Sequence, residues 1–218
     1  MIKAVMNLIS LLFQEPLLFF VIMIAFLAAL TVHEASHALA GYMQGDLTAK
    51  RQGRLTLNPF AHVDFWGFLA LITVGFGWGK PVPYNPYNLR YPRLGPVLVA
   101  VAGPAANLIL GVVFGLLYRL AASYLDSSNL LAIFLSYGAY LNFLLCLFNL
   151  IPIPPLDGSK ALLALLAHPR YRAARFFLET QGPIILICLI VIDALSGIGI
   201  FSSLSHGANA LMQLVTSL

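Results

Sequence analysis

The feature that most constrains this chain is a set of apolar runs long enough to cross a bilayer. They cover residues 16–42, 94–122, 129–150 and 183–204, and each exceeds the roughly 20 residues a helix needs to span the hydrocarbon core. In lipid every backbone N–H and C=O must be paired within the chain, so only helices and closed barrels span. Runs of this length fit helices. The expected fold is an all-α, multi-pass membrane protein, with one domain over 1–218, a core over 16–168 and a C-terminal span at 183–204. The lead of residues 1–15 is expected to lie along the interface.

Composition agrees. The sequence is 60% hydrophobic and 9% charged, where a soluble domain carries about a quarter charged residues. Nothing after the first run resembles a signal-peptidase site, so that run is read as a retained span. The formal net charge of +4 is assigned to loop Lys and Arg that set orientation, and no nucleic-acid partner is expected. Cys146 and Cys188 fall inside apolar segments and are expected to be inert buried thiols.

A fifth apolar stretch, "FWGFLALITVGFG" at 65–77, would reach only about 20 Å as a helix, short of the core thickness. Its β-branched and aromatic residues and three glycines favour an extended hairpin or re-entrant loop between the first and second spans. Such a loop survives in lipid only if protein or a wet cavity covers its backbone. If it dips in and returns, ten of the 12 Lys and Arg share one side, with Lys3 and Arg119 opposite. By the positive-inside rule that side is the cytoplasm. If the stretch spans, the division is four against eight and the bias weakens, so the re-entrant topology is preferred.

Inside the first run stands "HEASH", His33 to His37. Ionisable groups within a span cost about 2.5–3.5 kcal/mol each on insertion scales, so a purpose is the default expectation. Residues four apart share one helix face, so His33 and His37 can hold two corners of a tetrahedral zinc site. Glu34 is then placed to take a proton from water. A catalytic zinc needs a third protein ligand. Of only eight acidic residues, Asp157 in "FNLIPIPPLDGSK" is the best placed. It follows the third run, on the side expected to hold His37. Pro152, Pro154 and Pro155 forbid a continuing helix, and Gly158 lets the chain turn behind the carboxylate. The competing reading makes Asp157 the N-cap of a helix over 158–167.

These residues resemble the site-2 protease family of intramembrane zinc metalloproteases, peptidase family M50, in its short prokaryotic type without a PDZ insertion. The resemblance rests on "HEASH", "NLIPIPPLDG", "GPAAN" (103–107), "LNPFAHVDFWG" (57–67) and "GWGKPVPYNP" (77–86), over roughly residues 30–165. It departs where Pro155-Leu156 stands for an asparagine-proline pair often found before the family's Asp-Gly. It implies one Zn2+ per chain held by His33, His37 and Asp157, with Glu34 as catalytic base. It also implies Asn149 as a residue that binds substrate or stabilises the oxyanion. The implied activity is hydrolysis of peptide bonds in or near transmembrane segments of a membrane-protein substrate. The implied location is a prokaryotic inner membrane, with the site open to the cytoplasm.

Other motifs leave two readings each. Gly103, Asn107, Gly111 and Gly115 form a small-residue stripe suited to close helix packing, and Asn107 could also hydrogen-bond toward the site. His62 could donate to the reacting carbonyl oxygen or hold a neighbouring loop. Asp193 is expected to find a partner within the bundle. An extended 65–77 hairpin could pair with an unwound substrate strand by edge addition. The alternative function is a non-proteolytic metal-binding scaffold or carrier. A carrier usually shows internal repeats and polar residues on several spans, whereas here they gather at one end of two segments. Oligomeric state is not encoded in any motif.

Overall fold

In the computed structural model, which describes residues 2–217, the apolar runs are helices. In chain order the helices are α1 (Ile2–Gln14), α2 (Pro16–Met43), α3 (Thr48–Arg51), α4 (Phe65–Val74), α5 (Gly95–Ala122), α6 (Leu130–Asn149), α7 (Gly158–Leu165), α8 (Arg172–Ser196) and α9 (Ile200–Ser217). Pro16 opens α2 in its first turn, where the missing N–H would have had no partner in any case. Pro16–Met43, Gly95–Ala122, Leu130–Asn149 and Pro169–Asp193 are long and apolar enough to cross a membrane. The expected all-α membrane fold is borne out. The lead forms α1 and packs against α2 and α4; Met1 itself lies outside the described residues.

α2, α5 and α6 pack on one another, and α9 covers α5 and α6. The glycine stripe explains how closely they approach. A Cβ at Gly111 would stand 2.8 Å from the Phe143 ring, and one at Gly115 would stand 2.8 Å from Val215. Phe143 is completely buried, together with Ala139 and Ala208. In lipid, where apolar surface gains little from leaving the solvent, this interlocking is what holds helices together.

Residues 65–77 depart from expectation. Instead of an extended hairpin, Phe65–Val74 is the helix α4. Its ends carry explicit helix signals: Asp64 accepts a hydrogen bond from the Gly67 N–H at 2.8 Å, and Gly75 closes the last turn at φ 74°. A capping carboxylate and a left-handed glycine outweigh the weaker β-preference of the residues between. Gly67 and Gly77 serve close approach: a side chain at Gly67 would strike the Trp78 backbone, and one at Gly77 would strike Leu71. The backbone of α4 is spent on its own helix, so it offers no strand edge to a substrate. The excursion does return to its start. Val63 and Gly79 form an isolated antiparallel bridge, and the Lys80 N–H donates to the His62 carbonyl at 2.8 Å.

The C-terminal span also differs. The 183–204 run is not one helix: α8 starts earlier, at Arg172, runs through Pro183, and ends at Gly197 in the left-handed region. Gly197 (φ 68°) and Gly199 (φ 88°) break the chain, and α9 then packs back on the bundle, with Tyr140 Oη and Ser205 Oγ 2.6 Å apart. Asp193 finds its partners at this break, accepting from the N–H groups of Gly199, Ile200 and Phe201. Cys146 is buried, but Cys188 is exposed on α8 rather than buried as expected; both thiols are free.

Candidate metal centre

His33 and His37 lie on the buried face of α2, one turn apart. Their rings meet edge to face, with centroids 4.6 Å apart. The third element reaches them from α6. That helix ends at Asn149, and the proline-rich segment after it turns the chain across the bundle. Asp157 stands at the N-cap position of α7, yet its side chain makes no capping hydrogen bond. It points at the histidines instead. The turn needs Gly158, where a Cβ would collide with the Leu150 carbonyl. Ser159 Oγ locks it by donating to the Leu156 carbonyl at 2.6 Å, and Leu156 is packed against Leu186 and Ile190 of α8.

The result is a small triangle of donors. Asp157 Oδ2 is 3.0 Å from His33 Nε2 and 3.2 Å from His37 Nε2, and the two Nε2 atoms are 3.1 Å apart. Zinc bonds of about 2.0–2.1 Å at tetrahedral angles place neighbouring donors about 3.3 Å apart, so the triangle fits one face of a zinc site. These three residues can together hold a metal ion.

The outer atoms of both imidazoles are fixed in the state a ligand requires. His37 Nδ1 lies 2.7 Å from the Val99 carbonyl, which can only accept, so Nδ1 carries the proton and Nε2 presents a lone pair. His33 Nδ1 meets Asn107 Oδ1. The orientation of that amide follows from its other bonds: Asn107 Nδ2 donates to the Ala29 carbonyl at 3.1 Å and to Asn142 Oδ1 at 2.7 Å. Asn142 in turn donates to the Gly138 carbonyl. A relay of two wholly buried amides thus ties α2, α5 and α6 to one ring. Gly103 makes room for it, because a Cβ there would lie 2.5 Å from His37 Cε1 and 2.7 Å from His33 Cε1.

Glu34 is buried beside the pair. Its Oε2 accepts a hydrogen bond from the Val82 N–H at 3.2 Å. Val82 belongs to the non-helical segment 80–85, which returns from α4 and crosses this end of α2. Tyr84, two residues on, has its phenol pKa raised by burial and by the nearby Asp157 carboxylate. Asp46 anchors the far end of the segment, accepting from the Asn85 N–H at 2.7 Å, from Asn88 Nδ2 and from Thr48. Burial works to raise the Asp46 pKa, but these hydrogen bonds prevail and hold it below the ordinary carboxylate value.

The remaining expected residues lie elsewhere. Asn107 is joined to the histidines through its hydrogen bond, as one of its two readings had it. His62 is completely buried, with Nε2 2.9 Å from the Thr56 carbonyl, a partner for its loop-holding reading, while Nδ1 is buried without one. Asn149 donates to the Leu145 carbonyl of its own helix. Sequence reasoning missed Asn142, although a lone amide in an apolar helix was the signal to follow. It also missed the Val82 N–H, the Val99 carbonyl and Tyr84, which carry no motif of their own.

Comparison with known proteins agrees with this chemistry. Residues 120–192 match Peptidase family M50. "Putative zinc metalloprotease YwhC" of Bacillus subtilis is 38% identical over 202 residues, covering 90% of this chain and 91% of that protein. "Putative zinc metalloprotease Rip2" of Mycolicibacterium smegmatis is 33% identical over 186 residues, covering 82% and 69%. No solved structure matches the chain at a significant level. On the strength of these relatives and of a donor set suited to Zn2+, the chain belongs to peptidase family M50 and is a zinc metalloprotease.

Proposed function

We propose that this protein is an intramembrane endopeptidase that hydrolyses peptide bonds within or near the transmembrane segments of other membrane proteins. The observation that carries the reading is the depth of the donor triangle. His37 and His33 precede the end of α2 at Met43 by six and ten residues, which is about 9 and 15 Å along the axis. A site at that depth, on a helix apolar enough to span, meets substrates from the bilayer. The basic residues of the loops on the same side support an opening toward the cytoplasm of a prokaryotic cell.

His33, His37 and Asp157 would hold the zinc. When bound, the ion supplies a Lewis acid that polarises a carbonyl and acidifies water. Glu34 accepts the proton of the attacking water at its carboxylate and returns it to the leaving amine. Asn107 and the Val99 carbonyl keep both imidazoles in the tautomer that leaves Nε2 free. A helical substrate has its carbonyls already hydrogen-bonded, so it must unwind locally before one of them reaches this site. Asn107→Ala is expected to weaken zinc binding about 10–100-fold, measured by competition with a chelator.

The test of the whole reading is the position of the cut. Incubating the purified protein with a single-span test substrate and sequencing the fragments by mass spectrometry should place the cut within the apolar segment or a few residues from its end. Cuts confined to distant soluble flanks would overturn the intramembrane assignment and leave a zinc protease of another kind.

A further inference from the structure

Arg54 is an unusual cation for this protein. It lies after α3, and it is only 5% exposed. Its Nη2 donates to the Lys80 carbonyl, while Nε is buried without a hydrogen-bond partner. Burial disfavours its charge, and the nearby Glu34 carboxylate offsets part of that effect. A buried guanidinium is costly to keep unless it holds something in place. What it holds is the start of the 80–85 segment.

That segment is tied at three points. Arg54 and the His62 carbonyl hold Lys80, Asp46 holds Asn85, and between them the Val82 N–H donates to Glu34 Oε2. Pro81 and Pro83 flank Val82. Each proline fixes its own φ and biases the residue before it toward extended backbone. Neither proline has an N–H, so between the two anchors the segment presents the amides of Val82 and Tyr84, and the first is spent on Glu34. A stiff strap fixed at both ends sets where that N–H can lie.

We propose that Arg54 is a positioning residue for Glu34: by fixing the strap at Lys80 it places the Val82 N–H on Glu34 Oε2 and so sets the direction of the carboxylate. This rests on Glu34 being the catalytic base. A carboxylate on a flexible side chain takes a proton efficiently only when it is held within hydrogen-bond reach of the water it activates. The N–H of the strap supplies one fixed contact to that carboxylate.

Val82→Pro tests this directly, because it deletes one N–H in a segment whose flanking residues are already proline. With a single-span test substrate, kcat should fall about tenfold, in line with loss of a hydrogen bond to a charged group. KM, zinc content and melting temperature should remain those of the wild type. Arg54→Met should lower kcat by a similar factor. The double variant should be no worse than about tenfold, since both substitutions cut the same connection. Wild-type kcat in Val82→Pro would overturn the proposal. So would multiplying losses in the double variant, or a fall in kcat that only tracks lost zinc. Wild-type kcat in Arg54→Met would likewise overturn it, and if that variant does not fold, Arg54→Lys, which keeps the charge but not the guanidinium fork that reaches the Lys80 carbonyl, takes its place. Glu34→Gln separates the two levels: full cleavage there removes the base itself, whereas an inactive Glu34→Gln beside a fully active Val82→Pro removes only the positioning.

Discussion

Glu34→Gln is expected to lower cleavage by about 10²–10⁴-fold, the range that general-base catalysis contributes, while the protein still binds one zinc per chain. The argument is one of shape against charge. Glutamine has the outline of glutamate, and its amide oxygen can still accept the Val82 N–H that now meets Oε2. The donor triangle belongs to His33, His37 and Asp157, whose mutual distances of 3.0–3.2 Å do not involve Glu34. What the amide cannot do at neutral pH is accept and return a proton. Metal analysis and cleavage of a single-span substrate, measured on the same preparation, check both halves. Undiminished hydrolysis at full zinc would end the assignment of Glu34 as base.

The parts of this arrangement that the sequence makes legible are those in which local pattern and chemistry coincide. A four-residue spacing puts His33 and His37 on one face wherever the helix goes. The prolines before Asp157 must end a helix whatever surrounds them, so a carboxylate aimed away from α6 is readable before any coordinates exist. The errors arise where two local signals compete. In 65–77, β-branched and aromatic residues argue for extension, but Asp64 and Gly75 are helix caps, and the caps prevail. At the C-terminus hydropathy runs on through Gly197 and Gly199, yet two left-handed glycines break the helix. Contacts between remote elements leave no such trace. The Val82 N–H lies 48 residues from Glu34, and Asn142 lies 35 from Asn107. Nothing in either stretch encodes its partner, because those pairings are decided by how helices stack.

Asp157→Ala is expected to have the other large effect, on the metal itself. Of the donors in the triangle, Asp157 alone brings a negative charge, and its oxygen lies within 3.2 Å of both imidazole nitrogens. Without it, two neutral imidazoles remain, with their Nε2 atoms 3.1 Å apart, and no other carboxylate is grouped with them among the described residues. Losing an outer-shell partner costs zinc affinity about 10–100-fold, and losing a ligand should exceed the upper end of that range. Cleavage should vanish with the metal. The fold should survive, because the Asp157 side chain makes no helix-capping hydrogen bond and the loop is held independently by Leu156 against α8 and by Ser159 Oγ. Chelator competition gives the affinity, and thermal melting in detergent gives the stability. An affinity within about threefold of wild type would mean that a different third group completes the site. Substituting Asp157 therefore tests the geometry, and substituting Glu34 tests the chemistry. The geometric outcome comes first, since a proton acceptor beside an empty pair of imidazoles has nothing to act on.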